Sequence, residues 1–275
     1  MLITHTATIL KKQQLADTVW LLSFSYPDDP AWTFHAGQYM IFHLPVTENG
    51  HPARRLYSIA STPSQKDALD FIIELVPGGL GSEYIAKIQE GDTVTMQGPA
   101  GVFIFKPSKR DAVMLATGTG IAPMYSMIAD RVTYTVKRET PNIFLFWGLK
   151  YKKDIYLKKE LDLLVQENPN FQYSICLSRE EHVDETHCMK GRITQGLEIL
   201  TSIPIVAHFA NISSQNELTS VYTRSILKCK GYKGQQLITE FDFYLCGSPH
   251  IVEALREDLT NKGVPKEQIY FEKFV

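Results

Sequence analysis

At 275 residues, with 44% hydrophobic and 21% charged side chains, the chain has the composition of an ordinary soluble protein and length for about two domains. A formal net charge of −2 leaves no basic footprint for nucleic acid. No apolar run approaches the roughly 18 residues of a membrane span, and the start lacks a basic-then-apolar secretory pattern, so the cytoplasm is the expected location.

From Thr4 to about Phe105 the pattern is strand-like. Thr18–Phe24 and Tyr39–Leu44 are rich in β-branched and aromatic residues, and breaks such as Pro27-Asp28-Asp29-Pro30 and Asn49-Gly50 separate such runs. Strands at this spacing predict a barrel or sandwich. Gly37 marks a bend or bulge, and His51 reads as a loop residue. In Arg54–Ser61, an extended chain points Arg55, Tyr57 and Ile59 to one face and Leu56, Ser58 and Ala60 to the other. One face can stack a flat ring, the hydroxyls can bond its heteroatoms, and the planar fork of Arg55 suits a phosphate. By itself the run reads equally well as an ordinary sheet strand. Next, strand Leu69–Val76 enters the loop Pro77-Gly78-Gly79-Leu80-Gly81-Ser82. A helix is expected over Glu83–Gln89, with Ser82 as its N-cap and Gly91 as its stop. A glycine loop entering a helix is an anion site.

Gln97–Phe103 ends the barrel pattern and Lys106–Asp111 reads as a linker, which sets domain limits of 1–105 and 106–275. Beyond it, strand–helix alternation predicts a parallel sheet. Strands are expected at Ala112–Ala116, Asn142–Gly148, Phe171–Leu177, Phe241–Cys246 and Ile269–Phe274, with Asp154 capping a helix through Val165. Thr117-Gly118-Thr119-Gly120 lacks the full dinucleotide fingerprint but sets two glycines between a strand and a helix, where a pyrophosphate can approach backbone. Ser178 and Arg179 follow a strand at the place for an adenosine ribose, and Lys190 or Arg192 can assist them. From about Leu200 to Ile238 there is no recognisable motif. Four scattered cysteines and eight histidines show no metal-ligand spacing, so no metal is expected.

Taken in order, Ala36–Phe42, Arg54–Ser61, Pro77–Ser82, Thr117–Pro123, Tyr244–Pro249 and Phe271–Val275 resemble the ferredoxin–NADP reductase superfamily over nearly the whole chain. The resemblance implies a β plus α/β protein: an N-terminal antiparallel barrel binding FAD and a C-terminal Rossmann-like domain binding NAD(P)H. It implies that Arg55, Leu56, Tyr57 and Ser58 hold the flavin, with Gly79, Leu80, Gly81 and Ser82 on its phosphates. Thr117, Gly118, Thr119 and Gly120 would hold the nucleotide's pyrophosphate. Ser178 and Arg179 would read a 2′-phosphate, favouring NADP(H) over NAD(H). Cys246 and Gly247 would lie beside the nicotinamide, and Glu272 and Phe274 would match a carboxylate and a stacked aromatic at the family's carboxyl end, although Val275 follows. Cys246, Glu272 and Ser58 are the catalytic candidates. Glu74 departs from the family, which often has a cation there. Without a cysteine set for an iron–sulfur cluster, electrons are expected to pass to a separate acceptor protein such as ferredoxin or an oxygenase component. Two other readings stand beside this one: a reductase of free flavin, and a non-catalytic flavin-binding regulatory module.

Overall fold

The computed structural model describes residues 2–29, 31–48, 50–134, 141–202 and 238–274. The motif-free stretch at about 200–238 and the terminal Val275 therefore lie almost wholly outside the described residues. The chain forms two compact units. One comprises the chain to Lys106 together with Ala122–Tyr134, and the other comprises Pro107–Ile121 and the described residues after Tyr134.

In the first unit, β1 (Ile3–Gln14), β2 (Val19–Ser25), β3 (Tyr39–Glu48), β4 (His51–Ser58), β5 (Ala68–Glu74) and β6 (Thr93–Ala100) make an antiparallel sheet in the order β4-β3-β6-β1-β2-β5. Its two outer strands are brought together by a bridge between Ile59 and Phe71 and by the Ala60 N–H donating to Asp70 at 2.8 Å, which closes the sheet towards a barrel. Closure explains the alternation along β4. Ala53 and Ile59 are in the core with Tyr57 packed against it, whereas Leu56 is exposed. Phe24, Phe42 and Phe71 meet edge to face at 5.1–5.7 Å in the barrel interior. Gly37 bends the chain before β3 at φ +97°, as expected.

Helix α1 (Leu80–Lys87) lies between β5 and β6 and buries Ile85 in the same core. It starts earlier than the sequence signals predict. Gly79, not Ser82, occupies the N-cap, because the Ser82 hydroxyl accepts the Val76 N–H at 2.7 Å and so closes the glycine loop instead. The stop is at Ile88, and Gly91, at φ +92°, shapes the later turn into β6. Helix α2 (Ile121–Tyr134) packs its middle on the barrel, where Ser126 donates to the Ser61 carbonyl at 2.6 Å.

The second unit is a parallel sheet of β7 (Asp111–Thr117), β8 (Ile143–Leu149), β9 (Phe171–Leu177), β10 (Cys188–Lys190), β11 (Phe241–Gly247) and β12 (Ile269–Lys273), in the order β10-β9-β8-β7-β11-β12. Helices α3 (Lys158–Glu167), α4 (Ile193–Ser202) and α5 (Pro249–Asn261) alternate with its strands. β9 and β11 are buried along their whole length, as strands covered on both faces must be, which is why they read as continuous apolar runs. Asp154 does not cap α3. It closes a short 3₁₀ turn by accepting the Tyr151 N–H at 3.0 Å, and α3 begins after Leu157, which sits at φ 56°. The chain steps from β7 out to β10 and then returns to β11 on the other side of β7. That reversal is the topological switch point of an open α/β sheet, where a crevice opens beyond the strand ends. Among the described residues no helix is long and apolar enough to cross a membrane.

Candidate functional site

On the barrel, β4 and α1 bring three of the expected residues into one place. A Cβ added at Gly81 would lie 2.7 Å from the Tyr57 hydroxyl and 2.9 Å from Arg55 Cγ, so glycine lets the first turn of α1 settle on these side chains without displacing them. Tyr57 packs edge to face on Phe42 at 4.8 Å, and burial pushes its phenol up to about 12, so it is a neutral donor. Arg55 is held in a fork by Glu48, with Nη1 and Nη2 donating to the two carboxylate oxygens at 2.9 and 3.0 Å. The hydrogen bond from Arg55 holds the Glu48 carboxyl below its ordinary range. The N–H groups that open α1 have no acceptor inside the helix. Together with the guanidinium and phenol they make a donor-rich cradle that fits a diphosphate. Ser58 is buried at the end of β4, paired with Tyr39. Leu56 points away from this cradle and Leu80 opens the helix. Glu74 is exposed.

On the parallel sheet the switch point is tight. Thr117 ends β7, and Gly118–Gly120 form a 3₁₀ turn leading into α2. A Cβ at Gly120 would press on the Cys246 carbonyl, 2.6 Å from its carbon, and one at Gly247 would strike the Thr117 hydroxyl. The ends of β7 and β11 thus meet backbone to backbone. Cys246 pairs in register with Ala116 on one side and Glu272 on the other. Burial, reinforced by the Glu272 charge, pushes the Cys246 thiol well above its ordinary value, so it is a neutral wall and not a thiolate. Glu272 is half-buried on β12, and the Phe274 N–H donates to the Gly247 carbonyl at 2.9 Å.

Ser178 and Arg179 lie after β9, two strands along the sheet from β7, or roughly 10 Å at ordinary strand spacing. Their N–H groups bond the Leu149 and Lys150 carbonyls at 3.0 and 2.9 Å, while both side chains are exposed. Beside them is a shallow depression lined by Tyr151, Lys152, Lys153 and Glu180. Of the other expected cations, the Lys190 ammonium reaches the Glu181 carbonyl at 3.4 Å and Arg192 is exposed.

Two family models match the chain in turn. A model described as an oxidoreductase FAD-binding domain matches residues 6–105, and one described as an oxidoreductase NAD-binding domain matches residues 114–257. The chain belongs to the ferredoxin–NADP reductase superfamily. It is 33% identical over 174 residues to ferredoxin–NADP reductase B of Sorangium cellulosum, covering 63% of this chain and 69% of that one. It is 29% identical over 272 residues to the toluate 1,2-dioxygenase electron transfer component of Pseudomonas putida, covering 98% of this chain and 67% of that one. A ferredoxin NADP⁺ reductase from Neisseria gonorrhoeae, solved with FAD and NADP, superposes with a TM-score of 0.75 at 20% identity over 99% of both chains, which shows the shared fold. This member of the superfamily is therefore an oxidoreductase that uses FAD and a nicotinamide nucleotide.

Sequence reasoning missed several residues that shape these sites. Trp147 Nε1 and the Tyr156 hydroxyl both donate to the Gly118 carbonyl, at 2.9 and 3.2 Å, and their rings meet edge to face at 4.7 Å. They fix the turn at the end of β7 from the next strand and the loop beyond it. Glu48, the partner of Arg55, also went unseen. The sheet order, once known, is the signal that finds Trp147: it pairs with Ala116 near the end of the strand beside β7.

Proposed function

We propose that this superfamily member is an electron-transfer reductase in which residues 1–105 hold FAD and residues 106–275 hold NAD(P)H, passing electrons to a separate acceptor protein. The relatives' names, an electron transfer component and a ferredoxin–NADP reductase, support that direction. The observation that carries the reading is one chain with both a donor-lined cradle at Arg55, Tyr57 and Gly81 and a glycine-tight switch point at Gly120 and Gly247. FAD, when bound, supplies a two-electron acceptor that can release electrons singly. The protein's part is to bind and orient. Arg55 and the opening N–H groups of α1 hold the diphosphate, Tyr57 and Ser58 orient the ring system, and Thr117–Gly120 take the nucleotide's pyrophosphate. The neutral Cys246 thiol and Gly247 line the nicotinamide side, with the Glu272 carboxylate in register beside them.

NADP(H) is the favoured nucleotide. Exposed Ser178 and Arg179, with Lys153 close by in the neighbouring depression, offer a cationic end for a 2′-phosphate. The absorbance spectrum of the purified protein, before and after NADPH, tests the whole reading. A flavin spectrum that bleaches on NADPH, with FAD found by mass after heat release, is the expected result. Protein that carries no flavin but reduces added flavin is a free-flavin reductase. Bound flavin that no nicotinamide nucleotide reduces marks a regulatory module.

A further inference from the structure

We infer that Lys12, on β1, is a positioning residue for the flavin diphosphate cradle, acting through the far end of α1. This rests on the reading of α1 as the phosphate-binding helix. The Lys12 ammonium donates to the carbonyls of Ile85, Ala86 and Ile88 at 2.9, 3.0 and 2.8 Å. All three of its protons are thus spent on the C-terminal end of one short helix. That end has carbonyls with no partner inside the helix and collects the negative pole of its dipole, and a half-buried cation answers both needs. The Trp20 ring lies 5.1 Å from the ammonium and shields it. Burial lowers the ammonium from its ordinary value, with Asp92 opposing that shift.

The clamp is continued by backbone. The Lys12 N–H donates to the Glu90 carboxylate at 2.9 Å, the Ile9 N–H to the Asp92 carbonyl at 2.9 Å, and the Gly91 N–H to the Ile9 carbonyl at 2.9 Å. The helix needs such a clamp. It has eight residues, of which Gly81 and Ile85 alone are buried, and a helix this short is not stable by itself. Its orientation therefore depends on what grips its ends. Gly81 rests on Arg55 and Tyr57 at one end, and Lys12 grips the other. A small rotation about Ile85 would swing the opening N–H groups off the cradle while leaving the barrel closed.

The test compares flavins with and without phosphate on the full chain stripped of its cofactor, titrating FAD and riboflavin by fluorescence quenching. Lys12→Met is expected to weaken FAD about tenfold and riboflavin by less than about twofold, because only the phosphate contacts depend on the helix pose. Lys12→Arg, which keeps charge and donors, should recover most of the loss. Equal losses for both flavins, or no loss for either, would overturn the proposal. Wild-type protein that binds riboflavin as tightly as FAD would overturn the phosphate reading of α1 itself. If Lys12→Met does not fold, Lys12→Gln takes its place under the same criteria. Hydrogen exchange gives a second readout: faster exchange in residues 80–88 with β1 and β2 unchanged supports the clamp, and unchanged exchange there overturns it.

Discussion

The two glycine turns of this protein look alike in sequence and differ in what they touch. At Gly81 the crowding atoms are side-chain ends and stems: the Tyr57 hydroxyl and Arg55 Cγ and Cδ. At Gly120 they are backbone, the Cys246 carbonyl and the Gly247 nitrogen at 2.9 Å, on a strand buried along its whole length. A side chain can shift by a rotamer, whereas a central strand cannot move without its neighbours. The barrel turn thus has adjustable walls and a partly exposed charged fork. The sheet turn has fixed walls and depends on close backbone approach. Glycine relieves crowding at both places, once against the side chains of Tyr57 and Arg55 and once against the backbone of the sheet itself.

Replacing Gly120 should have the largest effect. Gly120→Ala puts a methyl group into the Cys246 carbonyl, and overpacking of this kind costs about 1–3 kcal/mol. Thermal unfolding should shift down by several degrees and nicotinamide nucleotide binding should be lost in titration. A variant with wild-type melting and binding would erase the distinction between the turns. Next in size is Arg179→Ala, which removes an exposed guanidinium where no packing is at stake. Affinity for NADPH should fall about tenfold to a hundredfold, as for a charge-assisted phosphate contact, with NADH changed less than about twofold. Equal losses would show that Arg179 does not read a 2′-phosphate and that the fixed turn alone governs nucleotide binding.

How these features could be read in advance depends on the range of the interaction. The alternation of Ala53, Arg55, Tyr57 and Ile59, and the apolar runs of β9 and β11, follow from local periodicity, and both sheets were legible from them. Helix starts were less legible. Ser82 and Asp154 are good capping types, but each spends its oxygen on a nearby loop N–H, so the type alone misplaces the boundary. The supports of the sites were hardest. Lys12 meets α1 across more than 70 residues, and Tyr156 reaches Gly118 across 38, contacts that no local pattern marks. Gly81 and Gly120 were visible as glycines in turns, but whether each faces side chain or backbone is decided by the tertiary fold.

Gly81→Ala sharpens the comparison from the adjustable side. Tyr57 and Arg55 can give way by small rotations, so stability should fall by less than about 1 kcal/mol. The same rotations carry the phenol and the fork off the diphosphate, and FAD affinity should drop about tenfold in titration of cofactor-stripped protein. The pattern to look for is the reverse of Gly120→Ala in its balance, with a small change in melting and a clear change in binding. A loss of stability as large as that of Gly120→Ala would mean that the walls at Gly81 are no softer than those at Gly120.

The smallest effect is expected at Glu48, and it probes the fork directly. Arg55 gives both terminal nitrogens to the Glu48 carboxylate, and Nη1 also donates to the Arg54 carbonyl at 2.7 Å. A diphosphate must therefore share or take over these donors, and the carboxylate adds repulsion at close range. Both partners are partly exposed, with side-chain accessibilities of 31% and 40%, so solvent screens the pair and its hold is weak. Glu48→Gln removes the charge and keeps the shape. FAD should bind tighter by about threefold, with the gain reduced in high salt. Because Arg55 holds the Glu48 carboxyl below its ordinary range, the group stays ionised through neutral pH, and the gain should be the same at about pH 6 and about pH 8. Weaker FAD binding by Glu48→Gln would reverse the assignment: Glu48 would then aim the guanidinium at the phosphate instead of competing for it, and the fork would be as fixed as the turn at Gly120.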